Sequence, residues 1–163
     1  MGEGGYLLLV VVAQRLAELI LARRNTAKLL ARGGREVGAS HYPAFIVLHG
    51  SWLVLLFLVA RDAEVSIGWL TAYVLLQFAR LWVLVSLGER WTTRIVVVDE
   101  PLVRTGPYRF VDHPNYLVVA AEFIVVPMAL QQPWVAVVYS VLNAAVLFVR
   151  IKAEAAALSS MKA

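Results

Sequence analysis

The 163-residue sequence contains no cysteine and few charged residues: Asp, Glu, Lys and Arg make up 16% of it, against about 25% in an average soluble domain. The lack of cysteine excludes disulfides, thiolate metal sites and cysteine nucleophiles. Any chemistry must therefore use histidine, carboxylate, arginine or hydroxyl groups, or a bound cofactor. Hydrophobic residues make up 61% of the chain, more than a soluble domain can hold without large exposed apolar patches. The composition predicts an integral membrane protein.

Five apolar segments approach the length of about 20 residues that a helix needs to cross a bilayer. We expect these helices at residues 6–22, 43–60, 66–87, 114–130 and 133–151. The gaps after the second and fourth segments are so short that each of these pairs must form an antiparallel hairpin. The sequence contains no internal repeat and no linker, so we expect one all-α membrane domain over residues 1–163, with a polar loop at 88–113.

The basic residues fall on one side of this five-helix alternation. The N-terminal end and the fourth loop contain none, and the second loop contains only Arg61. Apart from Arg15 and Arg80 inside the predicted spans, the others lie in the first loop, the third loop and the C-terminal end: Arg23, Arg24, Lys28, Arg32, Arg35, Arg90, Arg94, Arg104, Arg109, Arg150, Lys152 and Lys162. The positive-inside rule then predicts an outside N-terminus and a cytoplasmic C-terminus. Because the net charge of +4 is spread along the chain, we expect no nucleic-acid partner.

Polar residues inside the predicted spans suggest function by default, because they are rare in membranes. In the predicted topology they lie in the cytoplasmic half: Arg15, Glu18, His49, Gln77, Arg80 and Glu122. On the last helix, Tyr139, Asn143, Arg150 and Glu154 recur at a spacing that forms one polar stripe. Two interpretations stay open: a polar cavity open to the cytosol, or ion pairs of Arg15 with Glu18 and of Arg80 with Glu122.

The loop before the fourth helix carries the most informative pattern. Gly106-Pro107 marks a turn, and Asp112-His113-Pro114 begins the helix with proline near its first position. Free backbone N–H groups and the positive end of the helix dipole favour a carboxylate or phosphate at such a start. Nearby arginines can add positive charge, namely Arg104, Arg109 and Arg150. The pattern predicts a pocket for a small anionic or zwitterionic cofactor, with His113 and Tyr116 on one side of it.

These residues resemble the signature of the isoprenylcysteine carboxyl methyltransferase family. The signature stands here as Gly106-Pro107-Tyr108-Arg109, then His113-Pro114-Asn115-Tyr116, and after one helical hairpin as Arg150-Ile151-Lys152-Ala153-Glu154 with Leu158. It covers roughly the C-terminal half of the chain. In the N-terminal half, His41-Tyr42-Pro43 and neighbouring motifs are similar to the short bacterial branch of that family.

The resemblance implies a methyltransferase that uses S-adenosylmethionine, without a metal, at the cytosolic face of the bacterial inner membrane. It implies a cofactor pocket lined by Gly106, Tyr108, Arg109, His113, Tyr116 and Glu154. Arg150 and Glu154 would close this pocket and reach the acceptor. The sequence departs from the family pattern where Asp112 replaces an arginine, Val118 a glycine and Ala155 a second glutamate. The first change removes a positive charge that would pair with the cofactor carboxylate or the acceptor, and Arg104 or Arg109 would then take that role.

The methyl acceptor is expected to be hydrophobic, because the site lies among lipid-facing helices. A carboxylate is already ionised, so Arg150 would only have to hold it. A phenol, with a pKa near 10, benefits from a general base, for which Glu122, His49 and Glu18 are the candidates. We favour a phenolic or pyrone polyketide lipid as the acceptor, with a prenylated cysteine carboxylate as the alternative.

Three other functions stay open. A lipid-amine N-methyltransferase would share the cofactor, but Arg150 beside Glu154 suits a cationic headgroup poorly. A small transporter would also carry charged residues in its spans, but the two halves of the sequence show no matching pair of Gly/Pro-broken helices. A haem-bearing electron-transfer subunit needs axial histidines within helices, and only His49 lies well inside a predicted span.

Overall fold

The computed structural model describes residues 1–159, so Lys162, counted above among the cytoplasmic basic residues, lies outside the described residues. The described part of the chain contains five α-helices: α1 (Glu3–Ala31), α2 (Tyr42–Ala60), α3 (Ile67–Leu87), α4 (Pro114–Ala129) and α5 (Pro133–Ser159). Within these residues, four helices are long and apolar enough to cross a membrane, and α4 is a shorter apolar helix of 16 residues. The prediction of an all-α integral membrane protein is confirmed.

The first helix is longer than its apolar run. It was expected to end at residue 22 but continues to Ala31, a length of about 43 Å at 1.5 Å per residue. The predicted end was wrong because Arg23 and Arg24 end the apolar run without ending the helix. Buried Asn25 stabilises the extension, since its Nδ2 donates hydrogen bonds to the carbonyls of Trp91, at 2.8 Å, and Gly88, at 3.2 Å. The last helix likewise continues beyond residue 151 to Ser159.

Both predicted hairpins are present, and their turns meet at one end of the bundle. We call this the turn end, formed by residues 61–66 and 130–132. The Ser66 amide donates to the Ala129 carbonyl at 2.9 Å, and Gln131 Nε2 donates to the Glu64 carbonyl at 2.9 Å. The start of α1 packs there as well, because a Cβ at Gly4 would stand 2.2 Å from the Ala60 carbonyl oxygen. Glycine therefore permits the close approach of α1 to the end of α2.

The opposite end, which we call the loop end, carries residues 32–41 and 88–113. Two short strands join these loops, β1 (Arg35–Val37) and β2 (Ile95–Val97). They pair antiparallel, with Arg35 opposite Val97 and Val37 opposite Ile95. The sequence analysis did not predict this sheet, because three-residue strands far apart in the chain carry no period that identifies them.

Two apolar clusters hold the helices together. The larger surrounds Trp52 and Phe123 and brings together all five helices, with Tyr73 contributed by α3. The smaller lies nearer the loop end, where Ala22, Val83 and Trp91 pack together and Tyr108 contacts them from the loop. The smaller cluster therefore fixes the loop before α4 against α1 and α3.

Candidate cofactor and acceptor site

The loop before α4 is anchored on α3 by a 3-10 turn at Gly106–Arg109. Gly106 has a φ of 58°, and a Cβ there would stand 2.0 Å from Ser86 Oγ. Only glycine meets both requirements, since an L side chain would be strained and would also clash. Pro107 is buried in this turn. The turn thereby sets the path of the backbone that leads to His113 at the start of α4.

A cavity of about 340 Å³ lies between this loop, β2 and the facing ends of α4 and α5. Its volume lies within the range of about 300–1,000 Å³ that is usual for small-molecule sites. Five residues selected from the sequence line it: Tyr108, His113, Tyr116, Arg150 and Glu154. They come from three separate segments, which only the packing of the loop end brings together. We call this the first cavity.

A chain of polar contacts runs along the wall of the first cavity. Arg150 Nε donates to the Tyr116 hydroxyl at 2.9 Å, and that hydroxyl donates to Glu154 Oε2 at 2.7 Å. His113 Nδ1 lies 3.7 Å from the same carboxylate oxygen, and its ring stacks on Tyr116 with centroids 5.2 Å apart. Helical spacing accounts for both pairs, since His113 and Tyr116 are separated by three residues and Arg150 and Glu154 by four. The contacts hold these four side chains in one arrangement.

Tyr108 contributes a neutral phenol to this wall. Burial raises the pKa of Tyr108, and the nearby negative charge of Glu154 raises it further. The hydroxyl therefore stays protonated at neutral pH. Tyr108 can pack or donate a hydrogen bond there, but it is not a base.

The arginines that line the first cavity differ in how firmly they are paired. Arg90 contacts Glu100 and the Pro101 carbonyl. Arg94 Nη1 lies 2.9 Å from both carboxylate oxygens of Glu36. Arg104 is exposed and approaches Asp112 at 3.8 Å. Arg104 is therefore the most available of the three for an anionic ligand.

A second cavity, also about 340 Å³, adjoins the first. Its lining is largely apolar and comes from the start of α2, from α5 and from the strands, including Ala44, Phe45, Ile95, Val146 and Val149. It shares Arg94, Ile95 and Arg150 with the first cavity. The sequence analysis missed these apolar residues, because before folding they are indistinguishable from side chains that face lipid.

Arg150 stands at the boundary between the two cavities. Its guanidinium carbon lies 4.9 Å from the Phe45 ring centroid on one side and 5.6 Å from the Tyr116 ring centroid on the other. The residue is 9% exposed. Within residues 1–159, Arg150 forms its hydrogen bond to protein through Nε. Its terminal nitrogens, Nη1 and Nη2, are therefore available to a ligand.

Four residues selected from the sequence do not line either cavity. Gly106 serves the packing of the loop, and the exposed Arg109 guanidinium lies 5.9 Å from the ring of Phe110. His49 points into the apolar cluster, where its ring lies between Phe45 and Phe123 and its Nδ1 contacts the Phe45 carbonyl at 3.0 Å. Contact of these residues with cofactor or acceptor stays a prediction, and their side chains lie outside the lining of both cavities because sequence distance from a motif does not fix the direction of a side chain.

Glu122 is the fourth of these residues, and it belongs to a buried ion network between α1, α3 and α4. Its carboxylate contacts both Arg15 and Arg80. Glu18 Oε2 lies 2.9 Å from Arg15 and 3.3 Å from Arg80, and Gln77 Nε2 donates to Glu122 at 3.2 Å. Two cations and two carboxylates balance within the network. The sequence left open whether these side chains form ion pairs or line a polar cavity. In the structure they form ion pairs, and the two cavities lie at the loop end.

Comparisons with known proteins agree with these motifs. The model of the isoprenylcysteine carboxyl methyltransferase (ICMT) family matches residues 69–160, more than half of the chain. "Uncharacterized protein YpbQ" from Bacillus subtilis (strain 168) is 40% identical, over 93% of this chain and 94% of the relative. An "Uncharacterized protein" from Haemophilus influenzae (strain ATCC 51907 / DSM 11121 / KW20 / Rd) is 25% identical, over 93% of this chain and 92% of the relative. No solved structure matches the chain.

Proposed function

The chain belongs to the isoprenylcysteine carboxyl methyltransferase family of membrane methyltransferases, and from this premise we propose that it transfers the methyl group of S-adenosylmethionine to an acidic oxygen of a lipophilic acceptor. The observation that carries the proposal is the position of Arg150. Its side chain separates a polar cavity lined by the family motifs from a mainly apolar cavity.

The residues around the first cavity fit S-adenosylmethionine. Arg104 and the start of α4 offer positive charge to the carboxylate of the cofactor. The ring of Tyr108 offers a face that attracts a cation, and Glu154 adds negative charge for the sulfonium. When bound, the cofactor supplies an electrophilic methyl group on a positively charged sulfur.

Side chains of this protein then orient the acceptor. The terminal nitrogens of Arg150 bind the acceptor oxygen and hold it at the boundary of the two cavities. Tyr116 and Glu154 hold the guanidinium through the hydrogen bonds from Arg150 to the Tyr116 hydroxyl and from that hydroxyl to Glu154. The aromatic and apolar walls exclude water. Positioning of this kind accounts for much of the catalysis that a methyl transfer needs.

The second cavity supports the proposed class of acceptor. Its apolar wall suits a hydrocarbon chain, and Arg150 favours an oxygen that carries negative charge. A hydroxypyrone has an acidic enol and a prenylated cysteine has a carboxylate, so both are ionised at neutral pH without a base. Because Glu122, His49 and Glu18 all lie outside both cavity linings, the cavities offer a phenol none of the three bases expected from the sequence. We therefore propose an alkylpyrone first and a prenylated cysteine second, and an amine acceptor is disfavoured by Arg150.

A parallel assay tests the acceptor class. Detergent-purified protein is incubated with radiolabelled S-adenosylmethionine and an alkylpyrone, an alkylresorcinol or a farnesylated cysteine analogue. We expect transfer to the pyrone, and Arg150→Gln should lower the rate by about ten- to a hundredfold, since hydrogen bonds to charged groups contribute about 1.5–3 kcal/mol. Lys152→Gln, an exposed cation on the same helix, is the matched control and should keep the rate. Transfer to none of the three, together with no calorimetric binding of S-adenosylhomocysteine, would contradict the proposal.

A further inference from the structure

The loop that lines the first cavity has a second, outward face with unusual side chains. Phe110 is 74% exposed and Val111 is 39% exposed, although both are apolar. Arg109, beside them, is also exposed, and its guanidinium lies over the Phe110 ring. We call these three residues the 109–111 tip. The tip has the composition of a membrane-interface segment, with an aromatic ring, an aliphatic side chain and a cation.

The tip lies level with the end of α3 and the start of α4. It follows directly on the turn at Gly106, which packs against Ser86 and Trp82 near the end of α3, and it precedes the start of α4 at Pro114. On the same stretch of α3, Trp82 and Val85 are 51% and 72% exposed. Tryptophan at such a position is typical of the headgroup level of a bilayer. The apolar surface of α3 therefore continues into the tip.

The charge at this depth fits an anionic surface. Arg23 and Arg24 follow Ala22 in α1, and Ala22 packs in the same cluster that Tyr108 contacts, which places the two arginines near the level of the tip. Both are exposed. Within residues 1–159, Arg23, Arg24 and Arg109 form no recorded salt bridge. Three exposed cations without a carboxylate partner are complementary to phosphate groups of anionic lipids.

The tip and the first cavity share one short segment of backbone. Tyr108 and Asp112, on either side of the tip, both line the cavity. Arg104, also in the lining, reaches across the segment to Asp112 at 3.8 Å, where both side chains are exposed. Because the outward tip and the cavity-lining residues Tyr108 and Asp112 are joined by this short backbone segment, contacts made by the outer face also restrain the cavity wall.

We propose that the 109–111 tip docks in the headgroup region of the surrounding bilayer, with anionic lipid bound by Arg109, Arg23 and Arg24, and that this docking tightens binding in the first cavity. Phe110 and Val111 enter the boundary between headgroups and acyl chains, while Arg109 contacts lipid phosphate. The second half of the proposal rests on the proposed function, because its ligand is the methyl-transfer cofactor; the first half does not.

The absence of cysteine allows a direct test of docking. Val111→Cys and, as the matched control, Ala31→Cys each carry one environment-sensitive fluorophore in the otherwise cysteine-free chain. Ala31 is exposed at the far end of α1, about 43 Å along the helix from its start and so beyond a hydrocarbon core of about 30 Å. In nanodiscs that contain acyl-chain spin labels, we expect strong quenching at position 111 and weak quenching at position 31. Equal quenching at the two positions overturns the docking.

Calorimetry with S-adenosylhomocysteine tests the coupling. We expect the wild type to bind about fivefold more tightly in nanodiscs with about one third phosphatidylglycerol than in pure phosphatidylcholine. One basic residue near an anionic surface contributes about 1 kcal/mol, and of the three arginines only Arg109 lies on the segment between the cavity-lining residues Tyr108 and Asp112. Arg109→Gln should abolish this difference. Arg35→Gln, the same change at an exposed arginine of β1 that lines neither cavity, should keep it.

Equal affinity of the wild type in the two lipids overturns the coupling even if the probe at position 111 is quenched. No binding in either lipid overturns both the coupling and the proposed cofactor, while the quenching experiment still decides the docking. The two failures are therefore distinguishable.

Discussion

At the scale of single residues, the site depends on a few side chains that connect segments from different parts of the chain. The Tyr116 hydroxyl is the clearest case, because it accepts a hydrogen bond from Arg150 and donates one to Glu154. Within residues 1–159, Arg150 and Glu154 form no direct salt bridge with each other, and the ion-pair partner of Glu154 is His113. The phenol is therefore the link that orients both.

Tyr116→Phe should separate orientation from folding. It keeps the ring that stacks on His113 but removes both hydrogen bonds, and we expect methyl transfer to fall about tenfold or more, since each bond to a charged group contributes about 1.5–3 kcal/mol. The melting temperature in detergent should change little. Tyr6→Phe, which removes a hydroxyl from an exposed position on α1, is the control. Full activity in Tyr116→Phe would remove this residue from the mechanism.

At the scale of secondary-structure elements, the buried ion network joins three helices inside the membrane. Arg15 and Glu18 come from α1, Arg80 from α3 and Glu122 from α4. Removal of one partner from such a pair leaves an uncompensated charge, which is far more destabilising than loss of the whole pair. The network therefore fixes how α1 and α4 pack on α3.

Glu122→Gln distinguishes a structural role from a catalytic one. We expect it to lower the free energy of unfolding by about 3–5 kcal/mol, while the remaining folded protein binds S-adenosylhomocysteine with nearly normal affinity. Adding Arg15→Gln restores the balance of charge and should recover part of the stability, as thermal unfolding in detergent can measure. An unchanged melting temperature with lost methyl transfer would instead assign Glu122 to catalysis.

At the scale of the whole molecule, the turn end and the loop end face opposite sides of the bilayer. Both cavities and most basic residues are at the loop end. The positive-inside rule therefore predicts that the cavities open to the cytoplasm. A cytoplasmic site would have direct access to a soluble cofactor and would meet the acceptor from within the membrane.

Single cysteines test this orientation. Ser40→Cys lies at the loop end and Gln132→Cys at the turn end. In intact bacterial cells, an impermeant thiol reagent should label position 132, and position 40 should react only after the inner membrane is opened. The wild-type chain, which has no cysteine, gives the background. The reverse pattern would place both cavities on the outer side of the membrane.

The sequence by itself determined the membrane class and the hairpins, and it located the motif residues around His113 and Arg150. Apolar runs reveal membrane-spanning helices because residues in contact with the hydrocarbon core must be apolar over about 20 positions and must satisfy their backbone hydrogen bonds within the helix. The motif around His113 could be located because glycine, proline and a helix start are local features. Local features also placed the end of the first helix too early. The helix continues because Asn25 donates hydrogen bonds to carbonyls of a loop more than 60 residues away in the chain, which a local pattern cannot show.

Only the tertiary structure decided which polar residues share a site. Glu122 and Glu154 are both carboxylates selected from the sequence as candidate site residues. In the structure, Glu122 lies between two arginines, whereas Glu154 lines the first cavity. The second cavity was also beyond the sequence, because Phe45 and Val149 look like lipid-facing residues until α2 and α5 pack beside Arg150. The hydrophobic period and the composition of the sequence specify how far along its helix each side chain lies. The rotation of one helix against another, which decides what that side chain faces, depends on long-range packing.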